Sequence, residues 1–102
     1  MNARFLAEVE AEIRDAAQYY EDNRPGVADR FLDAILVAQR DIEDNPTRFP
    51  LLAGIRAPRE IRRRLIEGFP YAMIYEVRAT ELLILAVAHG RRRPGYWKRR
   101  KR

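Results

Sequence analysis

From Ala7 to about Asp22 the apolar residues Val9, Ile13, Ala16, Ala17 and Tyr20 recur at three- and four-residue spacing. That spacing gathers them on one face of an amphipathic helix. Asn23-Arg24-Pro25-Gly26 interrupts the pattern, because proline lacks an amide hydrogen and glycine accepts left-handed geometry. A second helical stripe follows in Val27, Phe31, Ala34, Ile35, Ala38 and Ile42, with Leu32 and Leu36 widening it, and it stops at Asp44-Asn45-Pro46. So short a turn predicts an antiparallel helical hairpin. Asn2 to Leu6 reads either as a short strand or as the lead-in to the first helix, and Thr47 to Pro58, with Pro50, Gly54 and Pro58, reads as a loop.

Beyond Pro58 the period falls from 3.6 toward 2. Arg59–Ile66 alternates only in part, Phe69–Arg78 sets Tyr71, Met73, Tyr75 and Val77 on one side, and Glu81–His89 does the same for Leu83, Leu85 and Val87. Three strands are expected. The bends Gly68-Phe69-Pro70 and Ala79-Thr80 suit an antiparallel meander, since parallel neighbours need far longer crossovers. The expectation is an α+β domain: a helical hairpin covering one apolar face of a twisted antiparallel sheet of three to four strands.

Composition narrows the class. The chain has 102 residues, 47% hydrophobic and 34% charged, which suits one modest core and argues against disorder. Residues 1–97 are expected to form the single domain and 98–102 a mobile basic tail. Without cysteine and with one histidine, disulfides and the usual zinc geometries are excluded, and no cofactor is expected. Acidic residues arrive before any apolar run long enough for a signal sequence, and no stretch approaches a membrane span, so a cytoplasmic protein with no membrane partner is expected.

Charge is polarised along the chain. Residues 1–58 carry seven arginines against eleven carboxylates, and residues 59–102 carry thirteen basic residues against four. A cationic pole of this kind draws polyanions or an acidic protein and accelerates encounter.

Four segments, in order along nearly the whole chain, resemble the ParE/RelE superfamily of toxins from plasmid-stabilisation and chromosomal toxin-antitoxin pairs. They are Ala16-Ala17-Gln18-Tyr19-Tyr20-Glu21, Pro25 through Phe31, Phe69 through Tyr75, and Ala86-Val87-Ala88-His89-Gly90-Arg91-Arg92-Arg93-Pro94-Gly95-Tyr96-Trp97. The last resembles the ParE-like branch most. The resemblance implies a helical hairpin on a twisted sheet and a cognate antitoxin that folds over it as a hetero-oligomer. It also implies one of two activities: a ParE-like inhibitor of DNA gyrase without a hydrolytic site, or a RelE-like nuclease that cuts messenger RNA on the ribosome.

Metal-free RNA cleavage needs a base for the 2′-hydroxyl, cations for the phosphorane and an acid for the leaving oxygen. In the RelE-like branch an arginine directly follows the tyrosine that opens the central strand. Here Tyr71 is followed by Ala72, which carries no charge. Arg62 and Arg64, two apart and so on one strand face, are candidate substitutes. Tyr96 is the candidate acid and His89 the candidate base, against the plainer reading of His89 as a residue that orients a turn. Arg91, Arg92 and Arg93 suit bidentate binding of phosphate or carboxylate, and with Tyr96 and Trp97 they form the expected target- or antitoxin-binding surface. Trp97 serves equally to close the edge of the core. The basic residues of 59–64 also serve to keep an exposed strand from pairing with other chains.

Overall fold

The computed structural model describes residues 1–100. In chain order it has β1 (Ala3–Phe5), α1 (Ala7–Asn23), α2 (Val27–Asp44), β2 (Glu60–Leu65), β3 (Tyr71–Val77) and β4 (Leu82–His89). The strands form one sheet in the order β1-β4-β3-β2. Both helices lie where the apolar spacing puts them, and the expected α+β class holds.

Local chemistry accounts for the hairpin. Glu8 and Glu10 sit in the first turn of α1, where the helix dipole favours negative charge. The chain then reverses through Gly26, whose φ of 83° is left-handed and would strain a side-chain-bearing residue. Val9 and Ala16 of α1, and Phe31, Ile35, Ala38 and Ile42 of α2, are buried against the sheet. Leu32 and Leu36 do not join them: both are exposed, so the stripe is narrower than its sequence pattern.

The sheet differs from expectation in three respects. First, it is mixed. β2-β3 and β3-β4 are antiparallel, but β1 pairs with β4 in parallel, Ala3 to Phe5 opposite Leu82 to Ile84. The crossover that parallel pairing demands is supplied by everything between β1 and β4, the hairpin included.

Second, the centre of the sheet is buried on both faces. Leu82 through Val87 are all buried, and so are Met73 through Glu76. The helices cover the face bearing Tyr71, Met73 and Tyr75, where Tyr71 packs on Phe31 and the Tyr75 hydroxyl donates to the Pro46 carbonyl at 2.6 Å. The other face, with Ile61, Ile74 and Leu83, lies under the segment that follows β4.

Third, the free edge of β2 is partly closed by the preceding loop. Leu51 bridges to Arg62, the Leu52 amide donates to the Ile61 carbonyl, and the Arg63 amide donates to the Pro50 carbonyl.

Residues 89–100 run as successive tight turns, with amides of Arg92, Tyr96, Lys98 and Arg100 each donating to the carbonyl three residues back. Gly95, φ 77°, takes the left-handed conformation that would strain a side-chain-bearing residue. Trp97 is buried in the main core cluster. Arg59 donates to the Lys98 and Arg100 carbonyls, and Arg100 reaches back to α1. The expected mobile tail from Lys98 is therefore corrected as far as Arg100, which is fastened to the body; Lys101 and Arg102 lie outside the described residues.

Candidate functional site

The end of the sheet holding Tyr71 and His89 and the segment behind it contain most of the side chains singled out by sequence. They are held there by a carboxylate that sequence reasoning passed over. Glu12 projects from α1 and accepts four hydrogen bonds: from the Tyr96 hydroxyl at 2.6 Å, the Val87 amide at 3.1 Å, and Arg100 Nη1 and Nη2 at 3.1 and 3.2 Å. Arg100 Nη1 also donates to the Leu85 carbonyl at 2.9 Å.

β1 ends at Phe5, so β4 beyond Ile84 has no strand beside it on that edge. Glu12 and Arg100 satisfy the donor at Val87 and the acceptor at Leu85 that a further strand would have met. A sequence signal existed. Glu12 sits beside Val9, Ile13 and Ala16 on the stripe facing the core, a position where a carboxylate must find partners.

The structure gives each candidate a definite place. Tyr96 is half-buried with its proton committed to Glu12, and burial together with that carboxylate pushes its pKa far above the ordinary value of 10.0. A phenol held this way is a poor general acid. His89 accepts the Arg91 amide at Nδ1 (3.0 Å), its own carbonyl accepts the Arg92 amide, and its ring stands edge-on to Tyr71 at 5.0 Å. It orients the turn into the arginine run, and its neutral form carries the proton on Nε2.

The Arg92 guanidinium lies 3.8 Å over the Tyr96 ring, a cation–π contact, and Arg91 and Arg93 are exposed beside it. Trp97 closes the core rather than offering a face to a partner.

Arg62 and Arg64 do share a face, but it is the face under the helices. Arg62 donates to Glu60 at 2.8 Å and to the Phe49 carbonyl at 2.6 Å; Arg64 pairs with Asp41 of α2 at 2.7 Å and also donates to the Leu65 carbonyl. Register places Ala72 opposite Leu65 and Ala88 on the other side of the sheet, together with Arg63. The two arginines expected to replace the missing cation after Tyr71 therefore point away from it. What surrounds Ala72 is an open, mostly apolar slot lined by Leu65, Ala88, Gly90 and Pro70, with Arg63, Arg64 and Glu67 also on its wall.

Another network missed in the sequence steadies the far end of the sheet. Glu76, buried, accepts from Arg59 at 2.9 Å and Arg78 at 3.2 Å, and these cations hold its carboxyl below the ordinary range. Among the described residues no cluster of three or more His, Cys, Asp or Glu is placed to hold a metal ion, and no helix is long and apolar enough to cross a membrane.

Comparison with known proteins is decisive on family. The family model described as the ParE toxin of the type II toxin-antitoxin system, parDE, matches residues 3–94. The chain belongs to the ParE toxin family. Among solved structures, it is similar to a chain of the chromosomal ParDE TA system from P. aeruginosa, with a TM-score of 0.72 at 14% identity, over 87% of this chain and 95% of that one. At that identity the likeness speaks for the fold alone. No curated protein sequence matches. The ParE family match stops at Pro94, so Tyr96, Trp97 and Arg100 lie beyond it. In this ParE toxin those later residues nonetheless complete the second face of the sheet.

Proposed function

We propose that this ParE-family toxin acts by binding, with DNA gyrase as its target, and that a cognate antitoxin neutralises it in the cytoplasm. The observation that carries the choice of binding over RNA cleavage is the surface around Ala72. The position after Tyr71 carries no charge; of the β2 arginines only Arg63 shares that face, where it is exposed to solvent, and Arg62 and Arg64 are committed to Glu60 and Asp41 on the opposite face. The other catalytic candidates are engaged as well, Tyr96 by Glu12 and His89 by the Arg91 amide.

The effector surface in this reading is Arg91, Arg92 and Arg93. They project from turns pinned by Trp97 and Arg100, so they present charge without the entropy cost of ordering a loose tail. The antitoxin is expected to bring carboxylates to these arginines and apolar side chains to exposed Leu32, Leu36 and Leu65.

Purified protein in a gyrase supercoiling assay, run beside a translating ribosome with primer-extension readout, tests the reading. Inhibited supercoiling with intact transcripts is the expected result; codon-positioned cuts with normal supercoiling would transfer the function to the RelE-like alternative.

A further inference from the structure

Where the hairpin tip meets the β2-β3 turn, the molecule has an open cavity of about 630 Å³, within the size range of small-ligand sites. Its wall is aromatic. Tyr19, Tyr20, Phe69, Phe31, Tyr71 and His89, in that order, form a continuous row of rings with successive centroids 5.0 to 5.5 Å apart. Phe31 is buried and anchors the row, whereas Tyr19 at the mouth is 60% exposed. An exposed ring on a rigid aromatic base loses little freedom on binding, and suits stacking of a planar group.

The polar groups at the cavity are mostly donors. Arg24 and Arg30 line it from the two sides of the hairpin turn, and among the described residues neither forms an ion pair. His89 lines it too, and its Nδ1 is already occupied by the Arg91 amide, so Nε2–H is left to donate. Against these stands one carboxylate, Glu67. A second concavity of about 290 Å³ shares Tyr19 and His89 with the first and adds Arg92. Its acids are Asp15 and Glu12, the latter neutralised by Arg100. A trough therefore runs from Arg92 past two exposed or half-buried rings to Arg24 and Arg30.

We propose that this trough binds a nucleoside monophosphate unit, the base stacked on Tyr19 and the phosphate held by Arg24 and Arg30. The unit is either a free nucleotide or part of a single strand whose next phosphate meets Arg92. The site shares only Arg92 with the surface proposed to meet gyrase, and its test reads neither supercoiling nor growth arrest.

The full chain, isotopically labelled, is titrated by NMR with adenosine monophosphate, with adenosine, with inorganic phosphate, and with a short single-stranded oligonucleotide and its duplex. Adenosine monophosphate is expected to shift Tyr19, Arg24, Arg30 and His89 and to bind more tightly than either of its halves. Tyr19→Ala, and separately Arg24→Ala with Arg30→Ala, should each weaken binding about tenfold or more. All three side chains are exposed, so circular dichroism and melting should not change. A single strand that binds more tightly than the mononucleotide and loses that advantage with Arg92→Ala identifies the strand as the source; equal affinity identifies the free nucleotide.

Absence of shifts at millimolar nucleotide, or shifts unaltered in the folded variants, overturns the proposal. So does duplex binding as tight as single-strand binding and indifferent to Tyr19→Ala.

Discussion

Replacing Glu12 by alanine removes the acceptor shared by α1, the edge of β4 and the C-terminal turns. Three donors are left without their partner at once. The Val87 amide, part-buried at the edge of β4, loses its acceptor, which costs about 1 to 3 kcal/mol. Arg100 and Glu12 have side chains 17% and 14% exposed, so breaking their pair costs less than the roughly 3 to 5 kcal/mol of a fully buried one. Arg100 keeps the Leu85 carbonyl and gains some water, which brings that part to about 1 kcal/mol.

With the Tyr96 hydrogen bond also gone the total is about 3 kcal/mol, a large share of the roughly 5 to 15 kcal/mol that holds a domain together. For a chain of this length that lowers the melting temperature by about 10 to 20 °C. Trp97, the only tryptophan, reports the segment directly. In Glu12→Ala its emission should move to the red at lower denaturant than the loss of far-UV circular dichroism, because the turns leave before the sheet opens. Glu12→Gln, which can still accept the Val87 amide, should recover part of the stability. A Glu12→Ala protein melting within about 2 °C of the parent, with both signals coincident, would refute the latch between Glu12 and the C-terminal turns.

Trp97→Ala should cost about 3 to 5 kcal/mol and expose the second sheet face, which chemical denaturation and dye binding would both register. At high pH, burial pushes the Tyr75 phenol up from 10.0 to about 12 and Tyr96 is raised further, so the unfolded chain loses these protons first. Tyr20 and Tyr71 are raised by burial as well, so stability should be level below pH 10 and then fall, Tyr75 and Tyr96 each contributing about 1.4 kcal/mol per pH unit, and Tyr96→Phe should lower the slope by about that amount in urea melts between pH 10 and 12. At low pH the depressed Glu76 carboxyl works the other way, its contribution present above the ordinary carboxylate range and lost as pH falls through it; a Glu76→Gln chain should show a flatter acid limb. Arg91→Ala with Arg92→Ala should relieve growth arrest while moving the melting temperature by only a few degrees, since the stacking of Arg92 on Tyr96 is a cation–π interaction of about 0.5 to 1 kcal/mol; undiminished arrest would remove these arginines from the effector surface.

Much of this architecture was readable from spacing alone. Val9, Ala16, Phe31, Ile35, Ala38 and Ile42 fall at helical intervals and are buried, because a helix in water must hide its one apolar stripe. The hairpin turn at Pro25-Gly26 and the tight bends of the meander follow from backbone chemistry carried by the residues themselves. Even the double burial of the sheet had a signal: Leu82 through Val87 is an unbroken apolar run, the pattern of a strand covered on both sides, although alternation alone reads it as one-sided.

What spacing does not carry is pairing between residues far apart in the chain. Nothing local to Ala3–Phe5 tells it to lie parallel to β4, and nothing local to Lys98–Arg100 tells a basic tail to fold back on Glu12, 88 residues away from Arg100. Arg62 and Arg64 show the same divide. Their common face is determined by the period of a strand, but which face the helices take, and hence whether the two arginines meet Asp41 or Ala72, is decided only when the hairpin docks and the sheet acquires an inside. Local sequence determines the elements because their forces act within a few residues; burial and charge pairing act through space, and only the assembled fold assigns their partners.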